Sequence, residues 1–215
     1  MVNSIKKGNV ILAIESAIRG GSISLLQEGT PTSGTAGDDS VSRAEDLILQ
    51  IDDLVQTAGI RRADLAYIAV SNGPGSFTGL RIGLATAMGL SMALGIPCTG
   101  VPLFDAIANG SESSLTVVVP IGRSDLCFRA FEDGVPQGDF IVGGIDEFVS
   151  FIQQRPPAKI AYHPDVKLLQ IEQIDPTIVL TNLGYNLAEY VGKYGASRPG
   201  SGSLEPIYVR NPRFA

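Results

Sequence analysis

The sequence predicts an α/β protein in which a mixed sheet flanked by helices occurs twice in succession. Each half opens on apolar or alternating runs joined by short glycine-containing turns, the pattern of antiparallel strands. Helix and strand patterns then alternate, which requires crossovers and parallel pairing. A polar stretch, Asn109-Gly110-Ser111-Glu112-Ser113-Ser114, separates the halves and sets expected domains of 1–108 and 109–215.

In the first half, Val10-Ile11-Leu12-Ala13-Ile14 reads as a fully apolar strand and Ser22-Ile23-Ser24-Leu25-Leu26 as an alternating one, with Gly20-Gly21 turning between them. A weaker strand follows over 30–36. Ser42 and Glu45 have capping-box spacing, so a helix is predicted over 42–57, with Leu47, Ile51, Leu54 and Ala58 on one face and Gly59 stopping it. A buried strand over 65–70 leads to a sharp turn over 71–79. A helix over 80–94 ends at Gly95-Ile96-Pro97, and a strand over 97–101 and a short helix over 102–108 complete the half.

The second half is predicted as strands over 115–119 and 126–131, an Asp133-Gly134 turn, a strand over 140–142, a helix over 146–153 and a strand over 158–162. Asp175 with Pro176 behind it reads as the start of a helix reaching about Tyr194. The Gly-, Pro- and Ser-rich tail from 195 is expected to pack extended. Two such halves resemble the duplicated architecture of actin, Hsp70 and the sugar kinases.

Composition narrows the function. The chain of 215 residues is 44% hydrophobic and 18% charged, with a net charge of −6. That is a globular composition, and its acidity opposes gripping a phosphate backbone without a basic partner. Cys98 and Cys127 form no C-x-x-C pair and are expected as buried thiols in a reducing cytoplasm. His163, the one histidine, cannot build a zinc site with two distant thiols. Residues 1–9 lack the apolar run of a signal peptide. Residues 82–98 are apolar, but short for a membrane span and interrupted by Gly83, Gly89, Gly95 and Pro97; a buried helix and strand are expected there, no membrane contact, and a cytoplasmic location.

The turn Ser71-Asn72-Gly73-Pro74-Gly75-Ser76-Phe77-Thr78-Gly79 has two readings. Gly73 and Gly75 allow unusual backbone angles, Pro74 stiffens the chain, and Ser76 or Thr78 can cap the helix. The N–H groups of such a helix start can also receive an anion. The segment lacks both the G-K-[ST] ending of a P-loop and the G-x-S-x-G of a nucleophile elbow. In the following helix Gly79, Gly83 and Ala87 share one face, and Ala85, Gly89 and Ala93 another. Faces without side-chain bulk fit tight packing within the chain and a subunit interface alike.

Residues 71–97, SNGPGSFTGLRIGLATAMGLSMALGIP, closely resemble the signature of the TsaB (YeaZ) family. Ile11-Leu12-Ala13-Ile14-Glu15-Ser16 resembles the family's opening strand, where Asp-Thr more often stands at Glu15-Ser16. Pro206-Ile207-Tyr208-Val209-Arg210 resembles its end. The likeness covers about residues 10–105. It implies a duplicated actin-like fold and a subunit that does not catalyse. Such a subunit binds and supports a TsaD-type transferase, which places threonylcarbamoyl groups on the adenosine beside the tRNA anticodon. A TsaE-type ATPase joins the assembly, tRNA is reached indirectly, and the chain alone is expected to homodimerise. The resemblance places the interface on the helices matching 42–57 and 80–94, here with Leu47, Ile51, Leu54, Gly79, Gly83, Ala87 and Gly89. No intrinsic cofactor or metal is expected, with ATP or ADP at the junction with the partner. The sequence departs from the family at Arg43, where a His is frequent; at Ile121-Gly122-Arg123 and Leu126, where Asp-Ala-Arg and then Glu are typical; and at Tyr162-His163-Pro164, in place of a glycine-rich turn.

Enzymatic readings fare less well. The TsaD subunit holds metal through paired histidines on a helix, and this chain has one histidine. A serine protease needs a base beside its nucleophile, which His163-Pro164 does not suggest. A kinase or ATPase of the actin type would use Glu15, Ser16 and Gly20-Gly21 in a first phosphate hairpin, with Asp38 and Asp39 more simply solvated turn residues. Ile121 occupies the place of a second-half carboxylate, leaving magnesium without that ligand. A divergent homologue that only homodimerises would use the same small-residue helix faces.

Overall fold

The computed structural model describes residues 10–36, 46–122, 124–168, 172–200 and 202–209. The capping pair Ser42 and Glu45, and also Asp38, Asp39, Arg43, Arg123 and Arg210, lie outside the described residues.

The first sheet holds β1 (Val10–Glu15), β2 (Ser22–Gln27), β3 (Thr30–Ala36), β4 (Leu65–Gly73) and β5 (Cys98–Pro102) in the order β3-β2-β1-β4-β5. The hairpin strands pair antiparallel, while β1, β4 and β5 run parallel. The second sheet holds β6 (Leu115–Ile121), β7 (Asp125–Glu132), β8 (Val135–Gly143), β9 (Lys159–Tyr162) and β10 (Val179–Asn182) in the order β10-β9-β6-β7-β8. Read from its own hairpin, this is the same order with the same directions. The duplication expected from the sequence is therefore present in the strand pairing.

Alternation along the strands fixes the layers. In β1, Val10, Leu12 and Ile14 face a core closed by α1 (Leu47–Thr57) and α2 (Phe77–Leu94). In β6, Val118 faces α4 (Ile145–Gln154), beside Phe128, Phe148 and Ile160. The opposite sides of both sheets share one core with α3 (Leu103–Ala108) and α5 (Ala188–Ala196), running from Tyr67 and Ala69 through Phe104 to Val117, Val119 and Val191.

The helix predicted from Asp175 to about Tyr194 is a correction. Asp175 Oδ1 accepts from both the N–H (2.8 Å) and the hydroxyl (2.7 Å) of Thr177, closing a local turn. The β-branched run Thr177-Ile178-Val179 then enters β10, parallel to β9. The helix begins only at Ala188. There it leaves the second half: the Ala188 N–H donates to Ser22 Oγ at 2.9 Å, and Gly192 lies against Leu26 and Ala13 of the first sheet. The last strand of the first sheet ends at Pro102 and the first of the second begins at Leu115, while α5 and residues 202–209 return to the first sheet.

Candidate partner surface and the cleft beside it

The glycine-rich turn forms a close joint with the β1–β2 loop. β4 runs on to Gly73, and the helix starts at Phe77, three residues before the expected Leu80. The Ser76 N–H donates to the Ala17 carbonyl at 2.8 Å, and Ser76 Oγ caps the helix by accepting from the Gly79 N–H at 3.4 Å. Ser16 Oγ donates to the Gly79 carbonyl at 2.8 Å. Gly73 adopts φ 118°, a value open to glycine, and Pro74 is buried beside it. Gly75 stands directly over Ala17. Ser76 and Thr78 border an open cleft of about 280 Å³, closed on its other sides by Ser16–Gly20, Gly79, Pro120 and Gly122.

Glu15 lies beneath this loop, 1% exposed. Its Oε1 accepts from the Ala17 N–H at 2.7 Å and the Ile18 N–H at 3.0 Å. Burial pushes its carboxyl up to about 7, against the opposing pull of those two bonds. The loop's own carboxylate thus occupies the N–H groups that a phosphate hairpin would offer. In the second half, Ile121 is buried at the corresponding strand end. Among the described residues, no three His, Cys, Asp or Glu side chains stand together as metal ligands.

His163 is 1% exposed; its Nδ1 accepts from the Asp165 N–H at 3.3 Å, and its ring stands edge-on to Tyr185 at 5.3 Å. Asp165 also faces Arg19 Nε at 3.8 Å, a contact between the two halves beside the cleft that sequence spacing gave no means of finding. Cys98 is half-buried and Cys127 buried; burial pushes their thiols up to about 11 and about 12, so neither is a ready nucleophile at neutral pH.

The expected interface residues divide by burial. Leu47, Ile51, Leu54 and Ala87 point into the core beneath α1 and α2, and Gly79 and Gly83 into the joint beneath the start of α2. A β-carbon on Gly79 would meet the Ser16 carbonyl, and one on Gly83 the Ser16 hydroxyl. These six build the floor of the surface and present nothing to a partner, which corrects their expected placement. Gly89 is outward, with nothing within 4 Å of where a β-carbon would stand. On the same side of α2 Ala85, Met88, Met92 and Ala93 are exposed, and α1, which packs beside α2, exposes Ile48 and Leu49. Met92 is 84% exposed, Leu49 64%, Ile48 50% and Met88 46%. α2 is long and apolar enough to cross a membrane by length and composition, yet only 28% of it is buried. Unlike the helix expected from the sequence, it keeps an apolar face outside. Arg81 stands on that face and Asp53 on the outer side of α1.

Residues 40–128 match the sequence model of the TsaD family, described as tRNA N6-adenosine threonylcarbamoyltransferase. The chain is 36% identical over 97 residues to an uncharacterised protein of Mycobacterium tuberculosis, covering 45% of this chain and 46% of that one. It is 33% identical over 103 residues to the Escherichia coli tRNA threonylcarbamoyladenosine biosynthesis protein TsaB, covering 47% and 43%. These matches span about half the length of the curated relatives. YeaZ from Pseudomonas aeruginosa superposes with a TM-score of 0.64 at 19% identity, covering 94% of this chain and 100% of that one. Sequence over about half the chain is thus similar to TsaB, and fold over nearly all of it to YeaZ, with one mixed sheet flanked by helices occurring twice.

Proposed function

We propose that the chain is a non-catalytic subunit in the biosynthesis of threonylcarbamoyladenosine on tRNA, and that it binds a TsaD-type transferase through the outer face of α1 and α2. The observation that carries this is the exposed apolar face of two adjoining helices, lined along α2 by Ala85, Gly89 and Ala93. Small residues let a partner helix approach closely, and exposed methionines adapt to its shape. The match of residues 40–128 to the TsaD family supports a partner that carries a comparable helix pair, so that two similar surfaces pack across a pseudo-two-fold axis. The same geometry serves a homodimer when the chain is alone.

A supporting role fits the cleft. Glu15 is held by its own loop, Ile121 stands where a second carboxylate would serve, and His163 is enclosed. ATP or ADP is then held at the junction with the transferase, and the TsaE-type ATPase and tRNA join through the assembly. The test is reconstitution: threonylcarbamoyl transfer to tRNA by the TsaD-type subunit of the same organism, with and without this chain. Transfer that depends on the chain is expected. Equal transfer in its absence would defeat the proposal.

A further inference from the structure

Residues 202–209 form a strap across the first sheet. The Gly202 N–H donates to Thr99 Oγ1 at 2.8 Å, and the Asn72 side-chain amide donates to the carbonyls of Ser203 (3.0 Å) and Glu205 (3.2 Å). The Ile207 N–H returns to the Asn72 carbonyl at 2.7 Å. Gly100 leaves no room for a β-carbon against Ser203, so the strand is shaped to receive the strap. Its path ends at α2. The Tyr208 ring lies 5.0 Å from that of Phe77; the Arg81 guanidinium stacks on Phe77 at 3.7 Å, and Arg81 Nε donates to Tyr208 Oη at 3.2 Å.

These contacts continue the partner surface. Phe77, Arg81, Ala85, Gly89 and Ala93 are spaced four apart and form one line along the outer side of α2. Tyr208 closes the N-terminal end of that line. An aromatic pair with an arginine is also the composition in which binding energy concentrates at interfaces.

We propose that the strap is part of the partner surface: Tyr208 holds the Arg81 guanidinium flat on Phe77, so that its outer N–H groups meet a carboxylate or carbonyl of the TsaD-type partner. This rests on the reading of α1 and α2 given above. Arg81 and Tyr208 act as one unit at the rim, while Met88, Gly89 and Met92 supply the apolar centre.

The test is calorimetric titration of the full chain into the TsaD-type subunit, with Tyr208→Ala, Arg81→Gln, the double variant and Met92→Glu, each checked for an unchanged thermal midpoint. Tyr208→Ala and Arg81→Gln are each expected to weaken Kd about tenfold, and the double variant by little more than either. Hydrogen exchange at the Ile207 amide is expected to slow on complex formation. If Tyr208→Ala stays within about twofold while Met92→Glu abolishes binding, the strap is no part of the surface and the α2 face stands. If Met92→Glu also leaves Kd unchanged, the face itself is wrong and the strap proposal falls with it. Unaltered exchange at Ile207 in a formed complex would overturn the strap alone.

Discussion

Gly79 and Gly89 stand on one helix and meet opposite surroundings. A β-carbon at Gly79 meets the Ser16 carbonyl and the Ala17 Cα, backbone that cannot turn aside. At Gly89 it meets nothing. The same substitution should therefore have opposite signs. Gly79→Ala is expected to destabilise the fold by about 1–3 kcal/mol through overpacking. Gly89→Ala is expected to stabilise it by about 0.5–1 kcal/mol by restricting the unfolded chain. Urea unfolding of the two variants measures both. Glu15 gives a second prediction at this scale. Its carboxyl ordinarily ionises near 4.5 and here holds its proton to about 7. The unfolded chain therefore loses the proton first as pH rises. The stability linked to that proton is full below 4.5, falls as pH rises towards 7, and is gone above it. Across that window wild type should lose roughly 3 kcal/mol relative to Glu15→Gln, which has no proton to lose. Parallel pH–stability curves for the two proteins would contradict this assignment.

The elements were unevenly legible. β1, β2 and the Gly20-Gly21 turn follow directly from apolar runs and turn chemistry, and β3 and α3 also lie where the pattern put them. Periodicity also placed α2, but it could not say which small-residue face the sheet would take. Gly79 and Gly83 went inward because Ser16 and Ala17 come within contact of that face, and Ala87 follows them into the core against the sheet. Only the tertiary fold carries that information. β10 was misread because Asp-Pro opens a turn as readily as a helix. The strap was visible as an extended tail and no more, since its hydrogen bonds to Asn72 and Thr99 span more than a hundred residues and leave no local period. The outer face of α2 yields the prediction proper to an element. Met92→Glu places a carboxylate at the most exposed apolar position without touching the core, so circular dichroism and the thermal midpoint should match wild type. Loss of folding in that variant would show that Met92 is not the free surface residue described above.

The two halves of the molecule share one core. α3 and α5 fill the space between the sheets, and α5 and the strap belong to the first sheet though they come last in the chain. Unfolding should then be a single cooperative transition, identical by fluorescence and circular dichroism. A fragment of residues 1–108 lacks α5 and exposes the inner face of its sheet around Ala13, Leu26 and Ala69, so it should show no cooperative transition. A well-folded fragment would refute this. The Arg19–Asp165 contact adds a polar tie at the cleft mouth, outside the shared core.

The most direct measurement is light scattering behind size exclusion, with the chain and the TsaD-type subunit run alone and mixed, with and without ADP and ATP. A single species with the mass of one copy of each is expected for wild type, and separate species for Met92→Glu. Wild-type mixtures that stay separate under every nucleotide condition, or a Met92→Glu mixture that forms the same complex, would contradict the assignment of α1 and α2 as the partner surface.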